Sequence, residues 1–404
     1  MRHVLLVLAF VALAAPVAAT GDRAAPLKPG GKVLAVESTK QTSFAVRLDA
    51  RTLKPVSKRV SLNGFASAWA YSPDRRLLAV CIQKVGIRIL DARSLRRVAV
   101  IPYWNRGFSL LSWPTPRRLI GLEGGLVSFD PVTRKRLDMP KLEGDLMTAR
   151  RAAKRLVLLV APPREIGTTR LVTVEADGSL RNVTLEGIRA GTTFESQPLT
   201  GEYRQPGLAF APAERAFVVG IGDEPVAEVD LRTMTATYHR PERRRSLLAR
   251  FHDWLEPQAH AKLIPGSARS AMWLGGGKIA AWGSDSVRSG PEQIQTTPVG
   301  LSIIDTREWT TELIDAKAQE VGLAAGTLLV SGSNGGVTAY STTGDLRYRM
   351  FEAERVRVGS TFRSLAFIWP RRGERVRILN APSGRVVGTC RSEPWILHED
   401  FSWW

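Results

Sequence analysis

The chain has 404 residues, with 57 lysines and arginines against 38 aspartates and glutamates for a net charge of +19, yet 44% of it is hydrophobic and 24% charged. That balance excludes a disordered polycation and describes a folded chain long enough to bury a full core. Two cysteines, Cys81 and Cys390, are too few for a disulfide framework or a four-thiolate metal site.

The first element in chain order is an apolar run from Val4 to Ala15 behind Arg2 and His3, followed by the small residues Val17, Ala18 and Ala19 ahead of Thr20. A charged head, a hydrophobic stretch below the ~20 residues of a spanning helix and a small-residue exit make the pattern of a secretory signal. Residues 1–19 are therefore expected to be a cleaved signal peptide and 20–404 the mature, extracytoplasmic domain, secreted or held in the cell envelope. No later run is long and apolar enough to span a membrane, so no transmembrane segment is expected after signal removal.

Beyond Gly30, short apolar runs alternate with Gly, Pro and Asp, which is an all-β pattern. One local pattern returns along the chain: a strand ending at an acidic residue, a polar turn, then a second strand. It is centred on Asp49, Asp91, Asp130, Glu175, Asp230 and Asp305, and again, without the acid, on Tyr340 and Asn380, at steps of 42, 39, 45, 55, 75, 35 and 40 residues. Steps near ~40–45 residues with four short strands per unit mark the blades of a β-propeller.

The best-formed copy runs Ser67-Ala68-Trp69-Ala70-Tyr71-Ser72-Pro73-Asp74-Arg75-Arg76-Leu77-Leu78-Ala79-Val80, then Gly86-Ile87-Arg88-Ile89-Leu90-Asp91. It resembles the repeat of WD40-like and YVTN-type bacterial β-propeller proteins over residues 66–100, with Arg75 where the family has Gly and no Trp-Asp signature. The resemblance implies a propeller fold, and that fold hosts binding modules and enzymes alike. The first unit lacks an inner strand, and the apolar tail from Trp395 to Glu399 can supply it. The wrap-around step is 43 residues, matching the internal period. The expected fold is thus a single propeller of eight blades, seven being the alternative, closed by pairing of its N- and C-terminal strands.

Four insertions interrupt the period, at 162–169, 186–206, 239–269 and 283–300. With strands A to D counted outward in each blade, all four fall in B–C or D–A connections, which emerge at one end of a propeller. That loop-rich end is the candidate binding surface. Within 239–269, Leu247, Leu248, Phe251, Trp254 and Leu255 form one helical stripe ending before Pro257, behind Arg243, Arg244 and Arg245. An inserted amphipathic helix is expected there, and Arg243, Arg244, Arg245, Arg250, Phe251 and Trp254 are the candidate binding residues. Such a helix can touch a membrane surface or a partner, or simply pack its stripe on the propeller. The stretch from Trp254 to Trp273 is also similar to exported propellers of high-GC bacteria.

Of the 57 basic residues 45 are Arg, a skew a GC-rich genome produces unaided, although arginine also suits bidentate contact with phosphate or carboxylate. Outside a cell the matching anions are envelope polymers or lipid headgroups, and no nucleic-acid module is recognisable. His239, His252, His260 and His398 form no zinc motif, and there is no GxSxG elbow, P-loop or haem site. No catalytic residue, metal or cofactor is expected. Trp69, Trp113, Trp273, Trp282 and Trp369 read as packing between blades. The expected function is that of an exported, non-enzymatic binding or scaffold module for a protein or an anionic envelope polymer. The alternative is a propeller enzyme, such as a lactonase or a quinoprotein-like dehydrogenase subunit, working in the central channel.

Overall fold

The computed structural model describes residues 32–396, except 40–41, 50–51, 104–106, 153–154, 197–198, 244–264, 289–293, 333–334, 353, 371–374 and 391–394. Every element in these residues is a strand or a turn. Most strands pair with a neighbour in the chain, since a short hairpin buries an apolar face at small loop entropy.

Blade 1 is built from β1 (Lys32–Ser38), β2 (Ser43–Asp49) and β3 (Val60–Ser61). Blade 2 comprises β4 (Ala66–Tyr71), β5 (Leu77–Ile82), β6 (Gly86–Asp91) and β7 (Arg97–Pro102). Blade 3 comprises β8 (Leu110–Thr115), β9 (Arg118–Leu122), β10 (Leu126–Phe129) and β11 (Arg136–Leu137). Next come β12 (Asp145–Ala152), β13 (Arg155–Ala161), β14 (Ile166–Val174), β15 (Leu180–Ser196) and β16 (Leu199–Gln205). Blade 4 is β17 (Gly207–Ala211), β18 (Arg215–Val219), β19 (Val226–Asp230) and β20 (Thr235–His239). It is followed by β21 (Glu242–Arg243), β22 (Gly266–Gly275), β23 (Lys278–Arg288), β24 (Ile294–Pro298), β25 (Leu301–Asp305) and β26 (Thr310–Asp315). Blade 5 is β27 (Ala318–Ala324), β28 (Thr327–Gly332), β29 (Val337–Ser341) and β30 (Leu346–Met350). Blade 6 is β31 (Val356–Phe362), β32 (Leu365–Pro370), β33 (Val376–Asn380) and β34 (Arg385–Cys390).

The ring closes as its sequence period requires: β35 (Trp395–Ile396) becomes the inner strand of blade 1, with Ala35 opposite Ile396 and Val36 opposite Trp395. The protein is an all-β propeller, but its described residues form six separate four-stranded blades and not eight. The remaining described strands do not separate. They form one eleven-stranded sheet, in which β12 to β15 and the group β22, β23, β25, β26 are joined through β16. No helical insertion is seen: the described ends of 239–269 belong to β20, β21 and β22, and residues 244–264 lie outside the described part.

The recurring acid now has a structural reason. In the turns after Asp49, Asp91, Asp130 and Asp230, the carboxylate accepts hydrogen bonds from backbone N–H groups two or three residues on. The N–H of the fourth residue closes on the acid's own carbonyl, as at Leu53, Leu95, Arg134 and Met234, each with a φ between 54° and 63°. The aspartate is a turn cap that holds two strands in register. In blade 2, Arg75 occupies the left-handed position that the family motif gives to Gly, at a φ of 61°.

The core is a belt of clusters between consecutive sheets. Phe108 and Phe129 of blade 3 pack with Ile87, Ile89 and Ile101 of blade 2, and Phe362 and Phe367 of blade 6 pack with Val46 and Leu48 of blade 1. Phe217 of blade 4 is fully buried and stacks on Trp273 of β22, ring centroids 5.5 Å apart. Cys81 and Cys390 form no disulfide.

Candidate functional site

Antiparallel order puts the β13–β14, β23–β25 and blade-to-blade connections at one end of the sheets, where the insertions at 162–169, 186–206 and 283–300 begin and end; of 239–269 only the ends are described. What stands there is mostly strand and not loop. β14 begins at Ile166 and pairs with β15 as far as Gly191, across a register shift at Thr168/Thr169. β15 then turns back on β16 over Gly191–Ser196 and Leu199–Gln205. β16 in turn pairs in parallel with β22, Tyr203 to Gln205 against Gly266 to Ala268. The second half of β23 carries β24 as a further hairpin. The segments 162–169, 186–206 and 283–300 are therefore largely a raised continuation of the sheet, because their backbone groups find partners in one another rather than in water.

Glycine makes the fusion possible. A Cβ at Gly266 would lie 2.3 Å from the carbonyl oxygen of Tyr203, and one at Gly191, where φ is +136°, would lie 1.9 Å from that of Glu165. Charge then locks it. The guanidinium of Arg269, itself buried, donates to both carboxylate oxygens of Asp285 at 2.8 and 3.2 Å. Burial pulls the Asp285 carboxyl up, but hydrogen bonds from Arg269 and Ser267 and the nearby charge of Arg204 outweigh it and hold the group below the usual carboxylate range. Arg204 reaches Glu224 of blade 4 at 2.7 Å.

Beside this fused region lies a cleft of about 830 Å³, lined by Glu186, Gly187, Ile221, Asp223, Glu224, Pro225, Tyr238 and Arg240. The phenol of Tyr238 accepts the N–H of Glu186 at 2.8 Å and donates to the carbonyl of Thr184 at 3.3 Å, tying the outer strand of blade 4 to β15. Its ring stays 38% exposed on the cleft wall. Glu224 is committed to Arg204 and to the N–H of Ile221. The cleft thus offers an apolar wall of Ile221, Pro225 and Tyr238, with the carboxylates of Glu186 and Asp223 and the guanidinium of Arg240 beside it.

The sequence-derived site residues fare differently. Arg243 ends β21, is exposed, and pairs in parallel with Thr311 on the outer edge of β26. Arg244, Arg245, Arg250, Phe251 and Trp254 lie outside the described residues. None of the residues lining the cleft was singled out by motif, since each is ordinary in its own strand or turn and only the fold brings them together.

The inner strands were expected at Ala68–Tyr71, Ala271–Leu274 and the Trp395 tail, but the arginines that β12 carries were not singled out. Arg151 of β12 donates to the carbonyls of Leu111 in β8 at 2.6 Å and Trp69 in β4 at 3.2 Å, with its guanidinium 5.6 Å from the Trp69 ring centroid. Its neighbour Arg150 donates to the carbonyl of Ala271 in β22 at 3.3 Å, and burial pushes this guanidinium's pKa down. The small residues Ala149 and Ala152 on either side, in a segment due to be an inner strand, were the available signal. Among the described residues no group of three His, Cys, Asp or Glu side chains could hold a metal, and no helix is long and apolar enough to cross a membrane.

No family model matches the chain, and no curated protein is similar to it in sequence. Its likeness to solved structures is one of fold. The dihydro-heme d1 dehydrogenase NirN, solved in complex with DHE, superposes with a TM-score of 0.56 at 13% identity, over 94% of this chain and 77% of that one. BamB from Moraxella catarrhalis gives a TM-score of 0.45 at 9% identity, over 87% and 96%. Sqt1 of Saccharomyces cerevisiae gives 0.45 at 11%, over 82% and 86%. These neighbours are WD40-like and other β-propeller proteins; the likeness to NirN, at 13% identity, shows the fold alone.

Proposed function

We propose that the protein is an exported, non-enzymatic β-propeller scaffold of the bacterial YVTN type. In this reading residues 1–19 are a signal peptide, 20–404 the mature domain, and the end carrying the insertions grips a protein partner in the cell envelope. The cleft between blade 4 and β15 carries the reading, because a rigid wall with an exposed tyrosine and two carboxylates is what an extended protein segment with a cationic residue needs. A lactonase or quinoprotein-like dehydrogenase would need acids or imidazoles converging from the inner strands. On the described inner strand β12, Arg150 and Arg151 are spent on backbone carbonyls.

A photo-crosslinking residue in place of Asp223 tests it in the intact envelope. A discrete adduct is expected, lost when Tyr238→Ala and Glu186→Lys are added and absent when the same residue replaces Arg232 on the opposite end. Equal adducts from both ends refute the site. Mass spectrometry of the isolated protein's N-terminus checks export, with Thr20 expected first.

A further inference from the structure

A cluster of exposed cations lies at the other end of the ring, where the turns within each hairpin gather, and it goes beyond the reading just given. In blades 2 and 3 the turns and the strand starts they feed present Arg93, Arg96, Arg97, Arg134, Lys135 and Arg136, all exposed, and none is in an ion pair among the described residues. The acids there do not neutralise them. Asp91 is spent on the N–H groups of Arg93 and Ser94 and on the Ser94 hydroxyl, and Asp130 on its own turn and on Arg117 at 2.7 Å. Elsewhere at this end some cations are matched, Arg155 between Glu175 and Glu214 and Lys278 with Asp305, while the exposed Lys54, Arg307 and Arg385 stand singly in their turns and do not form a comparable cluster.

Exposed aliphatic side chains stand among the unmatched cations. Val132, at the tip of the Asp130 turn, is 64% exposed, and Val98, next to Arg97, is 54% exposed. A soluble polyanion would engage the arginines and gain nothing from the valines. A bilayer engages both, phosphates meeting guanidinium groups while short apolar side chains enter the headgroup boundary. We infer that this face of blades 2 and 3 docks the protein on an anionic phospholipid surface, leaving the cleft end turned away from the membrane.

Cosedimentation of the purified protein with phosphatidylglycerol-containing vesicles, against pure phosphatidylcholine vesicles and soluble polyphosphate, tests the inference. Binding to the anionic vesicles is expected, falling at least about tenfold in Arg93→Glu/Arg97→Glu/Lys135→Glu and as salt rises from about 0.05 to 0.5 M. Val132→Asp, a surface change that leaves the fold intact, is expected to weaken vesicle binding but not polyphosphate binding. Arg232→Glu, with its thermal midpoint unchanged, serves as the control that keeps full binding. Failure to bind anionic vesicles overturns the inference. So does polyphosphate binding of equal strength with Val132→Asp silent, which would make the face a reader of free phosphate polymers.

Discussion

The imidazole of His239 lies flat on the indole of Trp309, ring centroids 3.4 Å apart and planes 6° from parallel, where the outer strand of blade 4 meets the turn between β25 and β26. Its Nε2 is 3.5 Å from the Glu228 carboxylate. Burial against the indole lowers the imidazole pKa and outweighs the opposing pull of Glu228. The unfolded chain therefore takes up this proton more readily than the folded one. Stability is complete above the ordinary value of 6.5 and declines as pH falls through the lower folded value. Thermal midpoints measured from pH 7.5 to 5 should fall in the wild type, and His239→Phe, which keeps the stack without the proton, should flatten that slope.

A second pH effect belongs to the capped turns. Asp91 is held below the ordinary carboxylate pKa of 3.8 chiefly by the Ser94 hydroxyl and N–H, and Asp230 by the N–H groups of Arg232 and Thr233. Their contribution is present above 3.8 and lost as the carboxyls protonate on further acidification, so unfolding should set in below about pH 4. Asp91→Asn keeps hydrogen-bonding capacity but not the charge. It should blunt the acid dependence in a urea titration repeated at pH 3 and pH 6.

Phe217 and Trp273 hold blade 4 against β22. Phe217→Ala removes a fully buried ring and its stacking on Trp273, and should cost about 3–5 kcal/mol by denaturant unfolding. Phe217→Leu should cost less, because it refills much of the space.

Removing residues 395–404 takes away the inner strand of blade 1 and exposes the edge of β1. The truncated protein should lose its single cooperative melt and aggregate. A wild-type calorimetric profile would show that the closing pair contributes nothing to the ring.

The propeller and its closure were legible because they rest on local rules: period-2 strands, capped turns, and a tail whose spacing matches the internal step. The merging of units around blade 4 was not. Segments such as Gly187 to Arg204 lack strong apolar alternation and read as loop, yet they become strands because Gly191 and Gly266 let backbones approach and Asp285 neutralises Arg269. Long-range pairing of this kind has no signature within either segment. The same holds for the cleft, whose wall takes Ile221 and Pro225 from one connection, Tyr238 from an outer strand and Glu186 from another sheet.

The parallel pairing of β16 with β22 joins the units on either side of blade 4 without passing through it. Blade 4 is therefore a keystone held under a strap, whereas the opposite arc is closed by the pairing of β35 with β1 alone among the described strands. A ring built so unevenly has a chosen place to part. Under pulling force or partial denaturation it should unzip at blade 1 and stay whole around blade 4, so that the strapped arc and its cleft are the last part of the molecule to lose shape.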